Sequence, residues 1–110
     1  MPSPMEMEVA RQVKRRSQEL LGDVVREVRL FGSRARGEAH PESDLDLLVL
    51  TTLDRPEVRE QVHQAAADVL MELAYPYHVV PHVMTQDRFQ ELLGLEKRFA
   101  LDVEHEGVLI

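Results

Sequence analysis

The chain has 110 residues, a formal net charge of −7 and no cysteine. This length fits one domain with a modest core, and the lack of cysteine excludes disulfides, thiolate metal sites and cysteine nucleophiles. No apolar run is long enough to span a bilayer, and the N-terminal segment lacks the order of a secretory signal. The acidic balance argues against a nucleic-acid grip, which usually needs a basic face. We therefore expect a single cytoplasmic domain, residues 1–110, without direct nucleic-acid or membrane binding.

The spacing of apolar residues predicts helices and strands that alternate along the chain. The predicted helices span Glu6 to Leu21, Asp54 to about Ala74, Gln86 to Leu93 and Glu96 to Glu104. The predicted strands span Val25 to Phe31, Leu45 to Leu50, Tyr77 to Thr85 and Val108 to Ile110. The polar segment Gly32 to Ser43 predicts a loop or a short helical turn. This order favours a small α/β (α+β) fold, with a mixed sheet and helices packed mainly on one side.

Individual residues predict how these elements begin and where they lie. Residues 1–5 are expected to form a frayed tail. Asp54 is expected to cap the second helix, and Pro56 suits the first turn of that helix. Proline cannot donate a hydrogen bond to a neighbouring strand, so Pro81 favours an edge position or a bulge. Asp87 is expected to cap the helix that follows.

Asp44 and Asp46 stand at alternate positions beside the clearest strand, a context that normally excludes aspartate. Strand side chains alternate between faces, so both carboxylates are predicted to point the same way, roughly 7 Å apart at the backbone. Two carboxylates this close repel each other unless a cation lies between them. Mg²⁺ is typically held by one or two carboxylates together with substrate phosphates. The pair therefore predicts a metal site.

A phosphate site is predicted just upstream of the two aspartates. Gly32 directly follows a strand and would let the backbone approach a ligand closely. The hydroxyl of Ser33 and nearby N–H groups can hold phosphate oxygens, and Arg34 and Arg36 add charged donors suited to phosphate geometry. The loop then returns through Ser43 to the aspartates. Two neighbouring strands are thus predicted to present phosphate donors and metal ligands to one point.

The string GSRARGEAHPESDLDLLV, Gly32 to Val49, resembles the signature of the DNA polymerase beta-like nucleotidyltransferase superfamily. It is most similar to small bacterial and archaeal members called minimal nucleotidyltransferases, or MNT proteins. The resemblance implies the nucleotidyltransferase fold and transfer of a nucleoside monophosphate from an NTP, such as ATP, to an acceptor hydroxyl, with release of pyrophosphate. It also implies Mg²⁺ as cofactor. The residues expected to bind nucleotide are Gly32, Ser33, Arg36 and Ser43, and those expected to bind the metal in the catalytic site are Asp44 and Asp46.

The chain departs from this family at one position, because the family's catalysts generally carry a third carboxylate on the next strand. No Asp or Glu lies between Tyr75 and Thr85. His82 stands where that acid is expected, although a shift in register would place His78 there. Imidazole is a poor Mg²⁺ ligand but is acceptable to Mn²⁺, and a histidine can act as a general base near neutral pH. His82 is therefore a candidate catalytic residue, and a strand histidine without a chemical role is the alternative.

Three functions remain open at this point, and the first is an active nucleotidyltransferase that modifies a partner protein. MNT-like proteins are commonly partnered with a helical HEPN-type protein, as the antitoxin of a toxin–antitoxin pair, and some add AMP to a tyrosine of that partner. The absent third acid leaves open a binding module that neutralises its partner by contact alone. A transferase acting on a small molecule, such as an aminoglycoside, is the third. A homo- or hetero-oligomer is also open, because the apolar end Val108 to Ile110 can complete the core or pack against another chain.

Overall fold

The structure, a computed structural model, describes residues 1–38 and 40–110. The α-helices formed by these residues are α1 (Pro4–Leu21), α2 (Ser33–Arg36), α3 (Pro56–Glu72), α4 (Gln86–Gly94) and α5 (Arg98–Glu106). The strands are β1 (Val25–Phe31), β2 (Leu45–Thr51), β3 (Val79–Thr85) and β4 (Val108–Leu109). The predicted bounds of β1 are confirmed, and the short helical turn expected after it is α2.

The strands form one mixed sheet in the order β3-β2-β1-β4. Strand β2 is parallel to β3, whereas β1 is antiparallel to both β2 and β4. The mixed sheet predicted from the sequence is therefore confirmed. Pro81 lies in β3, an edge strand, where the N–H that proline lacks is not needed by a second neighbour. The expected edge position of Pro81 is confirmed.

The two long helices cover one face of the sheet, and the two short C-terminal helices cover the other, so the expected packing mainly on one side holds only for the long helices. The core on the first face includes Val13 from α1, Leu47 from β2 and Val62 from α3. The core on the second face joins Leu48 of β2 to Phe89 of α4 and to α5. Because successive strand residues face opposite sides, β2 is apolar on both faces and is buried at every residue except Asp46.

The start of α1 corrects the prediction of a frayed tail. Ser3 caps the helix, and its hydroxyl accepts a hydrogen bond from the N–H of Glu6 at 3.1 Å. The Glu6 carboxylate in turn accepts a hydrogen bond from the N–H of Ser3 at 2.6 Å. This reciprocal pair is a capping box, which satisfies two otherwise free helix donors. The sequence signal for this capping box is the pattern S-x-x-E from Ser3 to Glu6.

Two of the expected caps are also wrong. Arg55 is the residue before α3, and Asp54 instead forms an ion pair with Arg59. Thr85 caps α4 by accepting a hydrogen bond from the N–H of Arg88 at 3.1 Å. Asp87 lies in the first turn of that helix, where a negative charge favours the positive end of the helix dipole. Pro56 begins α3, as expected.

The remaining differences are shifts of element ends. Strand β3 begins at Val79, two residues later than predicted. Helix α5 begins at Arg98 because Glu96 adopts a positive φ of 55°, which interrupts the helical path. None of the helices formed by the described residues is both long and apolar enough to cross a membrane.

Candidate active site

The predicted site residues gather at one end of the sheet, where β1 ends and β2 begins. Phe31, the last residue of β1, is paired with Asp46 near the start of β2. Gly32 follows Phe31 directly and leads into α2. The antiparallel pairing of β1 and β2 therefore brings the Gly-Ser segment and the aspartates to the same end of the sheet, as the sequence predicts.

Gly32 lies directly against the carboxylate of Asp46. Its backbone has φ 79° and ψ −162°, a conformation that is open almost only to glycine. A Cβ atom at this position would lie 2.6 Å from Oδ2 of Asp46. Glycine is therefore required here both by the backbone angles and by the space that the carboxylate occupies.

His82 contacts the other oxygen of the same carboxylate. Its Nε2 atom lies 3.3 Å from Oδ1 of Asp46. In the parallel pairing of β2 and β3, Asp46 stands opposite Val80 and Leu48 stands opposite His82, so the two side chains lie on one face and are offset along it. The imidazole ring packs against Phe31, with ring centroids 5.1 Å apart, and against Phe99 at 6.0 Å.

The register thus separates the two histidine alternatives. His82, and not His78, has its ring beside Asp46. The carbonyl of His78 accepts a hydrogen bond from the N–H of Leu45 at 2.8 Å, which joins the segment before β3 to the start of β2. His82 therefore occupies the position at which the third acid was expected.

Asp44 is exposed and directly precedes the first residue of β2. Among residues 1–38 and 40–110, no group of three or more His, Asp or Glu side chains is close enough to hold a metal ion. The donor set nonetheless suits a divalent cation. Carboxylate oxygens from Asp44 and Asp46 are ligands that Mg²⁺ accepts, and the His82 imidazole beside Asp46 suits Mn²⁺ better. Phosphate oxygens of a substrate would supply the remaining ligands.

Arg34 does not reach toward the site as the sequence suggested. It is 7% exposed, and its Nη1 atom lies 2.8 Å from Oε2 of Glu6 in α1. Its Nε–H donates to the carbonyl of Ser43 at 2.8 Å, and its guanidinium lies 4.3 Å from the centre of the Tyr77 ring. Arg34 therefore joins α1, the loop before Asp44 and the segment before β3.

The buried ion pair also changes the acidity of Glu6. Burial acts to raise the pKa of this carboxyl, because it disfavours the charged form. Hydrogen bonds from the backbone and hydroxyl of Ser3 and from Arg34, together with the charge of Arg34, outweigh burial. The net effect is a pKa below the ordinary value of 4.5.

Arg36 has a different position from Arg34. It lies on the surface of α2, where its Nε–H donates to Glu38 at 3.0 Å and its Nη1 donates to Glu106 of α5 at 2.9 Å. The Arg36 side chain is 37% exposed, so solvent weakens both ion pairs. A phosphate could therefore replace either carboxylate at little cost. Of the two arginines, Arg36 is the one that remains accessible to a nucleotide.

The two serines of the predicted nucleotide site also differ. Ser33 begins α2, and its side chain is partly exposed next to Gly32. The hydroxyl of Ser43 accepts a hydrogen bond from the N–H of His40 at 3.2 Å, and its carbonyl binds Arg34. The hydrogen bonds of Ser43 therefore stabilise the loop. Ser33 lies next to Gly32, where the sequence predicts a phosphate contact.

The sequence of the chain matches the profile of a known family, described as the nucleotidyltransferase domain, over residues 7–104. The chain belongs to this family. The matched range includes Gly32, both aspartates and His82, which form the site described above. Nucleotidyltransferases generally use an NTP and a divalent metal, and the prediction of a transferase enzyme is confirmed at the level of the family.

This nucleotidyltransferase domain also resembles a protein of Methanocaldococcus jannaschii that carries the provisional name protein adenylyltransferase. The two sequences are 40% identical over 58 residues, which are 53% of this chain. The matching segment covers 39% of the length of that curated relative.

Sequence reasoning missed two residues that shape the site of this nucleotidyltransferase domain. The sequence predicts Glu6 only as the first residue of a helix, yet it is the buried partner of Arg34. The sequence predicts Phe99 only as part of a short helix, and the structure shows that its ring is one of the two that pack against His82. The capping-box pattern could have identified Glu6 as an ordered residue, but no local signal links either residue to the site.

Proposed function

We propose that this nucleotidyltransferase domain transfers AMP from ATP to a hydroxyl group on a partner protein in the cytoplasm. The observation that supports a nucleotide site most directly is the contact between Gly32 and Asp46. It brings the glycine that would face a triphosphate against a carboxylate that would hold a divalent cation. The name of the archaeal relative favours adenylyl as the group and protein as the acceptor.

Each site residue has a role in this proposal. Asp44 and Asp46 would hold Mg²⁺, or Mn²⁺, which when bound neutralises phosphate charge. Gly32 lets the triphosphate approach the backbone, Ser33 offers a hydroxyl donor and Arg36 offers a guanidinium. These residues position the triphosphate, and positioning with charge neutralisation is most of what phosphoryl-type transfer requires.

The transfer forms a bond between the acceptor oxygen and the α-phosphorus and breaks the bond from that phosphorus to the bridging oxygen of the β-phosphate. Pyrophosphate leaves with the electron pair of the broken bond. The acceptor hydroxyl must lose its proton, and the imidazole of His82, beside Asp46, is the group that we assign to accept it.

We further propose a helical HEPN-type protein as the acceptor, with this domain as the antitoxin of the pair. This part of the proposal depends on the similarity of Gly32 to Val49 to MNT proteins.

The test is transfer of labelled AMP to a HEPN-type partner in the presence of Mg²⁺ or Mn²⁺. The wild-type chain should label the partner, and Asp46→Asn should reduce labelling by at least about a hundredfold, more than the loss typical of a residue that only supports a metal ligand. Glu96→Gln is the matched control, because Glu96 is an exposed acid between α4 and α5 and should leave labelling unchanged. Equal labelling by the wild type and Asp46→Asn would contradict the proposal.

A second candidate function is neutralisation of the partner by contact without transfer. It is favoured by the histidine at position 82 and by the lack of a three-acid group among residues 1–38 and 40–110. Under this alternative, Asp46→Asn should still form the complex and still neutralise the partner. If that variant forms the complex but fails to neutralise, contact alone is not the mechanism.

A further inference from the structure

A cleft of about 170 Å³ opens beside Gly32, between the end of β1, α2 and α5. The residues that line it are Phe31, Gly32, Arg36, Phe99, Asp102 and Glu106. Pockets that enclose a whole drug-sized ligand measure roughly 300–1,000 Å³. The cleft is therefore suited to one part of a nucleotide rather than to all of it.

The cleft is continuous with the proposed triphosphate site. Gly32 borders both, since the Asp46 carboxylate lies where a Cβ atom of this residue would be and Gly32 also lines the cleft. Arg36 likewise lines the cleft and is the accessible cation of the loop. A ligand whose phosphates lie near Gly32 and Asp46 would therefore have its other end within reach of the cleft.

Apart from Arg36, which borders the proposed triphosphate site, the lining of the cleft is suited to a nucleoside rather than to phosphate. The rings of Phe31 and Phe99 form an apolar wall, with centroids 5.4 Å apart and planes at 87°. Asp102 and Glu106 bring two negative charges, which repel phosphate. Carboxylates accept hydrogen bonds from N–H and O–H groups, and aromatic rings stack on bases of every kind.

We propose that this cleft binds the nucleoside part of the NTP, with the base against Phe99 and an N–H or O–H donor of the nucleoside on Asp102. The inference rests on the proposed function. Asp102 is half exposed, and its Oδ1 atom lies 3.2 Å from Nε of Arg98, a side chain that is 90% exposed. Such surface pairs contribute little, so a ligand donor can replace or share this contact.

The experiment is calorimetric titration of the intact chain with Mg²⁺ present, using ATP and inorganic tripolyphosphate, which has no nucleoside. The wild type should bind ATP more tightly than tripolyphosphate. Phe99→Leu should weaken ATP binding about tenfold, in line with the loss of one base–aromatic stack, and should leave tripolyphosphate binding unchanged. Asp102→Asn should weaken ATP binding about fivefold or more, as expected for a hydrogen bond to a charged group.

His105→Ala is the matched control, because His105 is an exposed residue of α5 outside the cleft and should bind ATP like the wild type. Inosine triphosphate, which lacks the exocyclic amine, and 2′-deoxy-ATP identify the donor. If an analogue binds the wild type only as tightly as ATP binds Asp102→Asn, the group that this analogue lacks is the one that Asp102 binds.

Phe99 also packs against the core, so thermal unfolding of Phe99→Leu is measured in parallel. Asp102→Asn tests the site without a change in core packing.

Two outcomes would overturn the inference in different ways. If ATP binds the wild type and both cleft variants equally, the nucleoside lies elsewhere, and the proposed function stands. If the wild type binds neither ATP nor tripolyphosphate, the proposed function fails and the inference fails with it.

Discussion

Arg34 and Arg36 are two residues apart in one short helix, yet they belong to two different regions of the molecule. Arg34 is buried and bound to Glu6, the carbonyl of Ser43 and the ring of Tyr77. Arg36 lies at the surface, paired with Glu38 and Glu106 and lining the cleft beside Gly32. The arginine at position 34 thus stabilises the loop, whereas the arginine at position 36 remains accessible to a ligand.

This difference suggests a division of the signature loop into a fixed region and an open region. The fixed region comprises Arg34, Glu6, Ser43 and Tyr77, and it holds the loop that leads through Asp44 into β2. The open region comprises Ser33, Arg36 and the cleft. A site that must hold triphosphate in one geometry benefits from such support, because positioning supplies much of the catalysis in phosphoryl transfer.

The largest expected effect is the loss of stability in Arg34→Met. Removing one partner of a buried ion pair leaves the other charge buried without compensation, which costs about 3–5 kcal/mol. Arg36→Met removes only exposed ion pairs and should cost about 1 kcal/mol or less. Urea unfolding of the two variants measures the difference. Similar losses of stability in the two variants would mean that the buried ion pair of Arg34 does not stabilise the fold more than the exposed pairs of Arg36.

A paired substitution sharpens this test. Replacing both charges, as in Glu6→Met with Arg34→Met, removes the uncompensated charge and should recover part of the stability lost in Arg34→Met alone. Recovery would be incomplete, because Glu6 also completes the capping box with Ser3 and a lost cap costs about 1 kcal/mol. A double variant less stable than Arg34→Met would contradict the compensation between these two charges.

The next effect in size is that of Gly32→Ala, at the border of the open region. The backbone conformation at Gly32 costs other residues about 1–3 kcal/mol, and the new Cβ would force the Asp46 carboxylate to move. We expect a stability loss of that size, together with loss of metal-dependent ATP binding. Gly94→Ala is the matched control, because a Cβ there meets no atom within 4 Å and φ is not positive. Unfolding and calorimetric titration check both effects.

The fold could be predicted from the sequence to a large extent, because its signals are local. The alternation and apolar runs that define β1 and β2 lie within each segment, and the signature from Gly32 to Val49 brings together the residues predicted to bind phosphate and metal. The contact between Gly32 and Asp46 supports that placement. Caps were less predictable, since the Asp54 and Asp87 expectations relied on residue type alone.

The roles of the two arginines could not be predicted, because the deciding partner is distant in sequence. Glu6 is 28 residues from Arg34 and meets it only when α1 packs beside the loop. The aromatic contact of His82 with Phe99 depends in the same way on how α5 covers the sheet. Long-range packing of this kind leaves no pattern in the spacing of residues along one segment.

The pH dependence of stability tests the contribution of Glu6 to the fixed region. Because its pKa is lowered in the folded state, Glu6 contributes stability that is present above its ordinary pKa of 4.5 and is lost as the pH falls through the lower, folded-state value. Glu6→Gln should therefore be less stable than the wild type at pH 7, and the difference should shrink toward pH 3. Glu19→Gln, an exposed acid of α1, is the control and should show a smaller change with pH.

The smallest expected effect concerns the open region, where Glu106 holds Arg36. Glu106→Gln should leave stability nearly unchanged, because exposed ion pairs contribute about 0–1 kcal/mol, and it should release the guanidinium for phosphate. Since 1.4 kcal/mol corresponds to a tenfold change in affinity, ATP binding should tighten by about fivefold or less. Glu104 lies on the same helix as Glu106 but pairs with Arg29 of β1. Glu104→Gln should therefore leave the affinity unchanged. Weaker ATP binding by Glu106→Gln would show that the ion pair with Glu106 positions Arg36 for phosphate instead of competing for it.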